Sequence, residues 1–120
     1  MIRLRNQSKY RAQKTTVDGI TFDSQREAQH YSFLKLQQRM GLVKEIKLQP
    51  VYVLLEPYKH PQTGKKVQGI KYRADFLVTY PDGSQEVIDV KSEPTRKKEA
   101  YVLKKKLFES RYGQAIKEIL

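Results

Sequence analysis

The chain has 120 residues, 24 of them Lys or Arg against 13 Asp or Glu, for a net charge of +11. That length suits one modest core, and the basic excess points to a polyanionic partner, nucleic acid above all, with a merely basic protein as the bland alternative. With no Cys, and His30 and His60 as its only histidines, the chain has no disulfide framework and too few imidazoles for a zinc site; its charged start, followed by no long apolar run, argues against a signal peptide or membrane span and for a cytoplasmic location.

Residues 1–13 carry Arg3, Arg5, Lys9 and Arg11 and read as a basic arm, either a loose terminus or a segment that touches phosphates. Lys14 to Phe22 alternates around Asp18-Gly19, a short-range hairpin signal. Asp23-Ser24 opens a helix that runs to about Met40 and stops at Gly41. Its apolar stripe is Ala28, Tyr31 and Leu34, with Phe33 alongside. Ser24 and Glu27 have the spacing of a capping box, which accounts for Glu27 without any chemistry.

Val43 to Leu55 is a long extended segment with Pro50 inside it. Proline cannot donate to a ladder, so an edge, a bulge or a break into two strands is expected there. Glu56 to Gly69 is a polar loop or hairpin tip around Thr63-Gly64. Lys59, His60, Lys65 and Lys66 make it either a solvated tip or a basic finger for a phosphate backbone.

The stretch Tyr72 to Lys91 says most. Two runs rich in β-branched and aromatic residues flank Pro81-Asp82-Gly83, which suits a three-residue hairpin loop with Gly in the left-handed position. In that register Tyr80 faces Ser84, Asp75 faces Asp89, and Lys91 faces Arg73. Ala74, Phe76, Val78, Ile88 and Val90 then share a core face. Asp75, Asp89 and Lys91 share the other, beside Leu77 and Val87. Facing carboxylates repel and weaken a sheet, whereas a hard divalent cation between them reverses the sign. A two-residue loop at Asp82-Gly83 would instead send the two Asp to opposite faces.

Ser92-Glu93-Pro94-Thr95 starts another helix, with Ala100, Leu103 and Leu107 as its apolar stripe. Arg96, Lys97, Lys98, Lys104, Lys105 and Lys106 make its other faces basic. Tyr112-Gly113 ends it, and Ala115 to Ile119 forms a last short strand. The element order predicts one α/β domain over residues 1–120, with a mixed sheet and helices on its faces.

Asp75, the tripeptide Asp89-Val90-Lys91 and Glu27 on the upstream helix resemble the PD-(D/E)XK nuclease superfamily. Thirteen residues lie between Asp75 and Asp89, a comfortable hairpin span. The element order is similar to that superfamily's restriction-endonuclease-like αβββαβ core. The wider run, from Ser24-Gln25-Arg26-Glu27-Ala28 through Tyr72-Arg73-Ala74-Asp75-Phe76 to Val87-Ile88-Asp89-Val90-Lys91, Leu107-Phe108 and Tyr112-Gly113, resembles a small uncharacterised phage and prophage family that is endonuclease-like. Holliday-junction resolvases look like more distant relatives. Ala74 stands where the motif has Pro, and Asp89 where Glu is commoner; neither change removes a ligand.

The resemblance implies a Mg²⁺- or Mn²⁺-dependent DNA endonuclease, acting on branched DNA in phage recombination or replication if resolvase-like, within the host cytoplasm. Asp75, Asp89, the Val90 carbonyl and Glu27, directly or through water, would hold the metal. The metal would polarise the scissile phosphate and acidify the attacking water. Lys91 would orient that water or neutralise charge in the transition state. Glu27 takes a dual role, with capping as its fallback. A junction resolvase needs two active sites and therefore a homodimer, through the N-terminal hairpin or the exposed part of the long strand region. The alternative is a non-catalytic basic nucleic-acid-binding protein, which would bind DNA without cutting it. An assembly protein, basic for electrostatic reasons, would have no metal affinity at Asp75 and Asp89.

Overall fold

The structure, a computed structural model, describes residues 13–120. The basic arm with Arg3, Arg5, Lys9 and Arg11 lies outside the described residues. Strands β1 (Thr15–Val17) and β2 (Ile20–Phe22) pair antiparallel, with Val17 opposite Ile20. Asp18 and Gly19 both take positive φ, 53° and 76°. Only a type I′ turn asks that of both central residues, and Asp-Gly is among the pairs that tolerate it best.

Helix α1 (Gln25–Arg39) starts where expected. The Glu27 amide donates to Ser24 Oγ at 3.0 Å, and the helix ends just before Gly41. Ala28, Tyr31 and Leu34 are buried. Phe33 is not on that stripe: it lies on the opposite side of the helix, 51% exposed.

The chain then forms β3 (Glu45–Leu48), β4 (Val51–Leu55), β5 (Tyr58–Lys59), β6 (Lys66–Val67), β7 (Ile70–Arg73), β8 (Phe76–Thr79) and β9 (Gln85–Val90). β3 pairs with β8 and β4 with β7, both antiparallel. One register runs through both pairs: Glu45 faces Thr79 and Val51 faces Arg73, with no residue gained or lost between them. The join is hydrogen-bonded as well, Gln49 N–H to the Asp75 carbonyl at 2.9 Å and Ala74 N–H to the Pro50 carbonyl at 3.1 Å. The two pairs are therefore one long ribbon bent at Gln49-Pro50 and Ala74-Asp75. Pro50 breaks the strand because it has no N–H to offer, and Gln49 takes a left-handed φ of 48° beside it.

Farther out, β4 carries a bulge between Val53 and Leu55. Gly69 sits against it so closely that a Cβ there would lie 2.1 Å from the Leu55 carbonyl oxygen. β5 and β6 pair only with each other, forming the finger with its tip at Thr63-Gly64.

After β9 come a short helix α2 (Glu93–Arg96), capped by Ser92, helix α3 (Glu99–Tyr112), and strand β10 (Ile116–Ile119). β10 lies parallel to β9, with Ile116 opposite Val87. Parallel neighbours need a crossover, and α3 supplies it. The central sheet has the order β10-β9-β8-β3 and is mixed. The protein is thus mixed α/β, with a mixed sheet and helices.

Both faces of the sheet are buried. Phe76, Val78 and Ile88 pack with Ala28, Tyr31 and Leu34 of α1. Val87 and Ile116 pack with Tyr101 and Phe108 of α3, together with Leu54, Tyr72 and Ala74. Burying these side chains on two faces explains why the strands read as near-continuous apolar runs.

Three expectations need correction. Ala74 belongs to the α3 side and not with Phe76, because the ribbon bends at Ala74-Asp75 and alternation restarts there. The buried stripe of α3 is Tyr101 and Phe108, with Leu107 partly buried; Leu103 and Ala100 are exposed. Aromatic partners decide that phase, since Phe108 meets the Tyr52 ring edge-on at 5.0 Å and Tyr72 at 5.7 Å. Lys91 does not face Arg73. The β8–β9 ladder ends at Phe76 and Ile88 and β7 pairs only with β4, so Arg73 and Lys91 are not strand partners, although both line one cleft. No helix among the described residues is long and apolar enough to cross a membrane.

Candidate functional site

The loop between β8 and β9 sets the site's register. Tyr80 N–H donates to the Ser84 carbonyl, and Gly83 N–H to the Tyr80 carbonyl, both at 2.9 Å. Gly83 has a φ of 89°, and Asp82 Oδ1 accepts from Ser84 N–H at 2.9 Å. This is the three-residue loop that Pro81-Asp82-Gly83 predicts. Phe76 then pairs with Ile88, and the next position inward brings Asp75 to Asp89.

Asp75 stands where the β8 ladder stops. Its N–H donates to the Ile88 carbonyl at 3.1 Å. Its Oδ2 accepts the Val90 N–H at 2.7 Å, in place of a backbone carbonyl. Asp89 is only 1% exposed. Tyr72 donates its hydroxyl to Asp89 Oδ2, and Lys91 Nζ lies 3.4 Å from Asp89 Oδ1. The same ammonium sits 4.8 Å above the Tyr101 ring. Asp75 and Asp89 lie near enough for each carboxyl to bear on the other's charge, and Glu27 of α1 lies near both. The structure therefore brings Glu27, Asp75, Asp89 and Lys91 together. Only half of the capping box is seen: Ser24 Oγ accepts from the Glu27 amide, with no return bond from the Glu27 carboxyl.

Crowding of carboxyls shows in their proton affinities. Asp75 is pushed up to about 8, by burial first and then by the hydrogen bond and charge of Asp89, against the opposing pull of the Val90 amide. Glu27 is raised by burial, then by the charges of Asp23 and Asp89, with Lys91 opposing. The Tyr72 phenol is raised by burial and by Asp89, so it stays protonated and donates. Tyr101 is raised too, by burial and by its 2.7 Å bond to Glu118 Oε2.

The donor set suits a hard cation. Glu27, Asp75, Asp89 and the Val90 carbonyl offer only oxygen, and the raised proton affinity of Asp75 marks crowded negative charge that a dication would neutralise. Among the described residues, no three His, Cys, Asp or Glu side chains already stand in the arrangement of a metal shell. Binding would have to draw the carboxyls together and loosen Lys91 from Asp89. At 3.4 Å that contact is longer than a tight charged hydrogen bond.

A family model described as "Protein of unknown function (DUF1064)" matches residues 7–119. The chain belongs to this family. No curated protein and no solved structure matches it. The DUF1064 match spans Glu27, Asp75, Asp89 and Lys91 together with both sides of the central sheet.

In this DUF1064 chain the sequence pattern missed several residues of the site. Tyr72 stood out only as the first residue of the β-branched and aromatic run and of the family-like stretch, and Tyr101 not at all, yet they contact Asp89 and Lys91. Arg26 also arrives, its Nη1 donating to the Lys91 carbonyl at 3.3 Å. Lys91 opens onto a cleft of about 540 Å³, walled by Lys71 and Arg73 of β7 and by Lys98 and Lys104 at the start of α3. Lys71-Tyr72-Arg73 did carry a legible signal: two cations flanking an aromatic in a strand put both charges on one exposed face.

Proposed function

We propose that this chain is a divalent-metal-dependent DNA endonuclease of PD-(D/E)XK type, built on a restriction-endonuclease-like αβββαβ core. What carries the proposal is the junction at Asp75: its carboxyl is fixed by the Val90 amide beside buried Asp89, Glu27 of α1 stands near both, and Lys91 leads from Asp89 into a basic cleft. Glu27, Asp75, Asp89 and the Val90 carbonyl would hold Mg²⁺ or Mn²⁺. A bound cation of that kind supplies Lewis-acid polarisation of the phosphate.

The chain's own residues do the rest. The Val90 amide and the Tyr72 hydroxyl orient the two aspartates, so their oxygens are positioned before substrate arrives. Lys91 would exchange its contact with Asp89 for a phosphate oxygen and neutralise charge as a water attacks phosphorus, the bond to the leaving oxygen breaks and that oxygen takes up a proton. Burial keeps bulk water off Asp89. The cleft lysines and Arg73 supply affinity for the backbone. Branched DNA is the substrate if the enzyme is resolvase-like, and it then works as a homodimer with two sites.

The test is cleavage of a labelled four-way junction and a matched linear duplex in Mg²⁺ and Mn²⁺, with EDTA and Asp89→Asn as controls. Metal-dependent cutting that Asp89→Asn abolishes is the expected result. The junction-to-duplex ratio separates a resolvase from a general endonuclease. Binding without cutting under either metal sinks the nuclease. One observation favours the second reading, a non-catalytic basic nucleic-acid-binding protein: both Asp89 oxygens already have protein partners in Tyr72 and Lys91.

A further inference from the structure

The β4–β7 half of the ribbon has two unlike faces. Tyr52, Leu54, Ile70 and Tyr72 turn inward to the α3 side. On the outer face, Val51 pairs with Arg73 and Val53 with Lys71. Val51 is 54% and Leu55 42% exposed, and Lys71 and Arg73 are exposed as well. One strand thus presents aliphatic side chains and the other presents cations, in register. Residues two apart on a strand lie about 6.6–6.8 Å from each other, so Lys71 and Arg73 make a short row of charge.

This face floors two clefts. One, of about 540 Å³, runs to Lys91, Lys98 and Lys104. The other, of about 620 Å³, runs to Lys66 at the base of the finger, and Lys71 lines both. The acid lining the second cleft, Glu56, lies 3.4 Å from Arg111 and is offset by it. We infer that the outer face of the β4–β7 ribbon is a docking track for duplex nucleic acid, leading the phosphate backbone from the finger to Lys91.

Charge selects a polyanion, in a chain of net charge +11. Shape and chemistry select a duplex. A two-stranded ribbon fits a major groove, where aliphatic groups meet thymine methyls and cations meet phosphates or guanine edges. Single strands are held by stacked aromatics, and none of Val51, Val53, Leu55, Lys71 or Arg73 is aromatic. The inference rests on the nucleic-acid reading above and adds the surface and the form of the substrate. It does not require cleavage.

The experiment is equilibrium binding of the full chain to a labelled duplex, and to the same strand unpaired, across a salt series in EDTA. Four proteins are compared: wild type, Lys71→Ala/Arg73→Ala, Lys98→Ala/Lys104→Ala, and the charge-matched control Lys47→Ala/Lys106→Ala. Each phosphate contact contributes about 0.9 to the slope of log K against log salt, so each track pair should flatten the duplex slope by about 2 and the control pair by about 0. Equal losses in all three variants overturn the track, because bulk charge then explains binding. Tighter binding to the unpaired strand overturns the duplex. A change in oligomeric state by sedimentation in Lys71→Ala/Arg73→Ala, with duplex binding intact, makes the face an interface between two copies instead. Loss of cutting in Asp89→Asn with these slopes unchanged leaves the track standing, and a track slope loss without any cutting removes only the nuclease.

Discussion

Replacing Asp75 by Asn should stabilise the metal-free protein, and more so as pH rises. In the folded chain Asp75 holds its proton up to about pH 8, against an ordinary value of 3.8. Between those limits the folded state binds a proton that the unfolded state has lost. Stability from this group is therefore fully present below the ordinary value and declines as pH climbs to the folded one, by about 1.4 kcal/mol per pH unit at most. From pH 5 to 8 that gives a ceiling of about 4 kcal/mol, and partial solvent access to Asp75 reduces it to about 2. The Asp75→Asn side chain keeps the geometry: its amide oxygen can accept the Val90 N–H and its amide nitrogen can donate to Asp89. The variant should match wild type at pH 5 and exceed it by about 2 kcal/mol at pH 8. The assay is urea denaturation of both proteins at pH 5, 6, 7 and 8 in EDTA. Taking the difference cancels the titrating groups that are not coupled to Asp75. Parallel curves over that range would refute the raised proton affinity of Asp75.

Mg²⁺ should raise the melting temperature of wild type at pH 8 and leave Asp75→Asn and Asp89→Asn unmoved; an equal rise in all three would mean the ion binds elsewhere. Tyr72→Phe removes the hydroxyl from a buried carboxylate and should cost about 1.5–3 kcal/mol in denaturant unfolding, whereas a loss under about 0.5 kcal/mol would mean that the bond is not made. Gly69→Ala forces a Cβ against the Leu55 carbonyl oxygen and should cost about 1–3 kcal/mol, with amide exchange quickened in the finger and the outer ribbon. Phe108→Ala empties a fully buried position among Tyr52, Tyr72 and Tyr112 and should cost about 3–5 kcal/mol by the same unfolding measurement.

Local chemistry was legible in the sequence. Asp18-Gly19 specified its turn, because φ above zero at two successive positions restricts the residues that fit. Ser24 and Gly41 bounded α1 through groups within one turn of its ends. Pro81-Asp82-Gly83 set the loop length, and the loop length alone brought Asp75 to Asp89. Pro50 announced a break, since a missing N–H is a property of the residue itself.

What the sequence did not settle depends on partners far along the chain. The bend at Ala74-Asp75 comes from pairing with Gln49-Pro50, so the face of Ala74 could not follow from alternation within one strand. The phase of α3 was decided by Tyr52, Tyr72 and Tyr112 packing on Phe108, although Leu103 and Leu107 form an equally regular pattern. Tyr72 reaches Asp89 across two separate strand pairings, and Lys71 and Arg73 share a cleft with Lys98 and Lys104 only because α3 packs beside the ribbon. Turns and caps are fixed by bonds a few residues long, which the sequence states outright. Faces, buried hydrogen bonds and clefts are fixed by which surfaces exclude water from one another, and only the folded chain decides that.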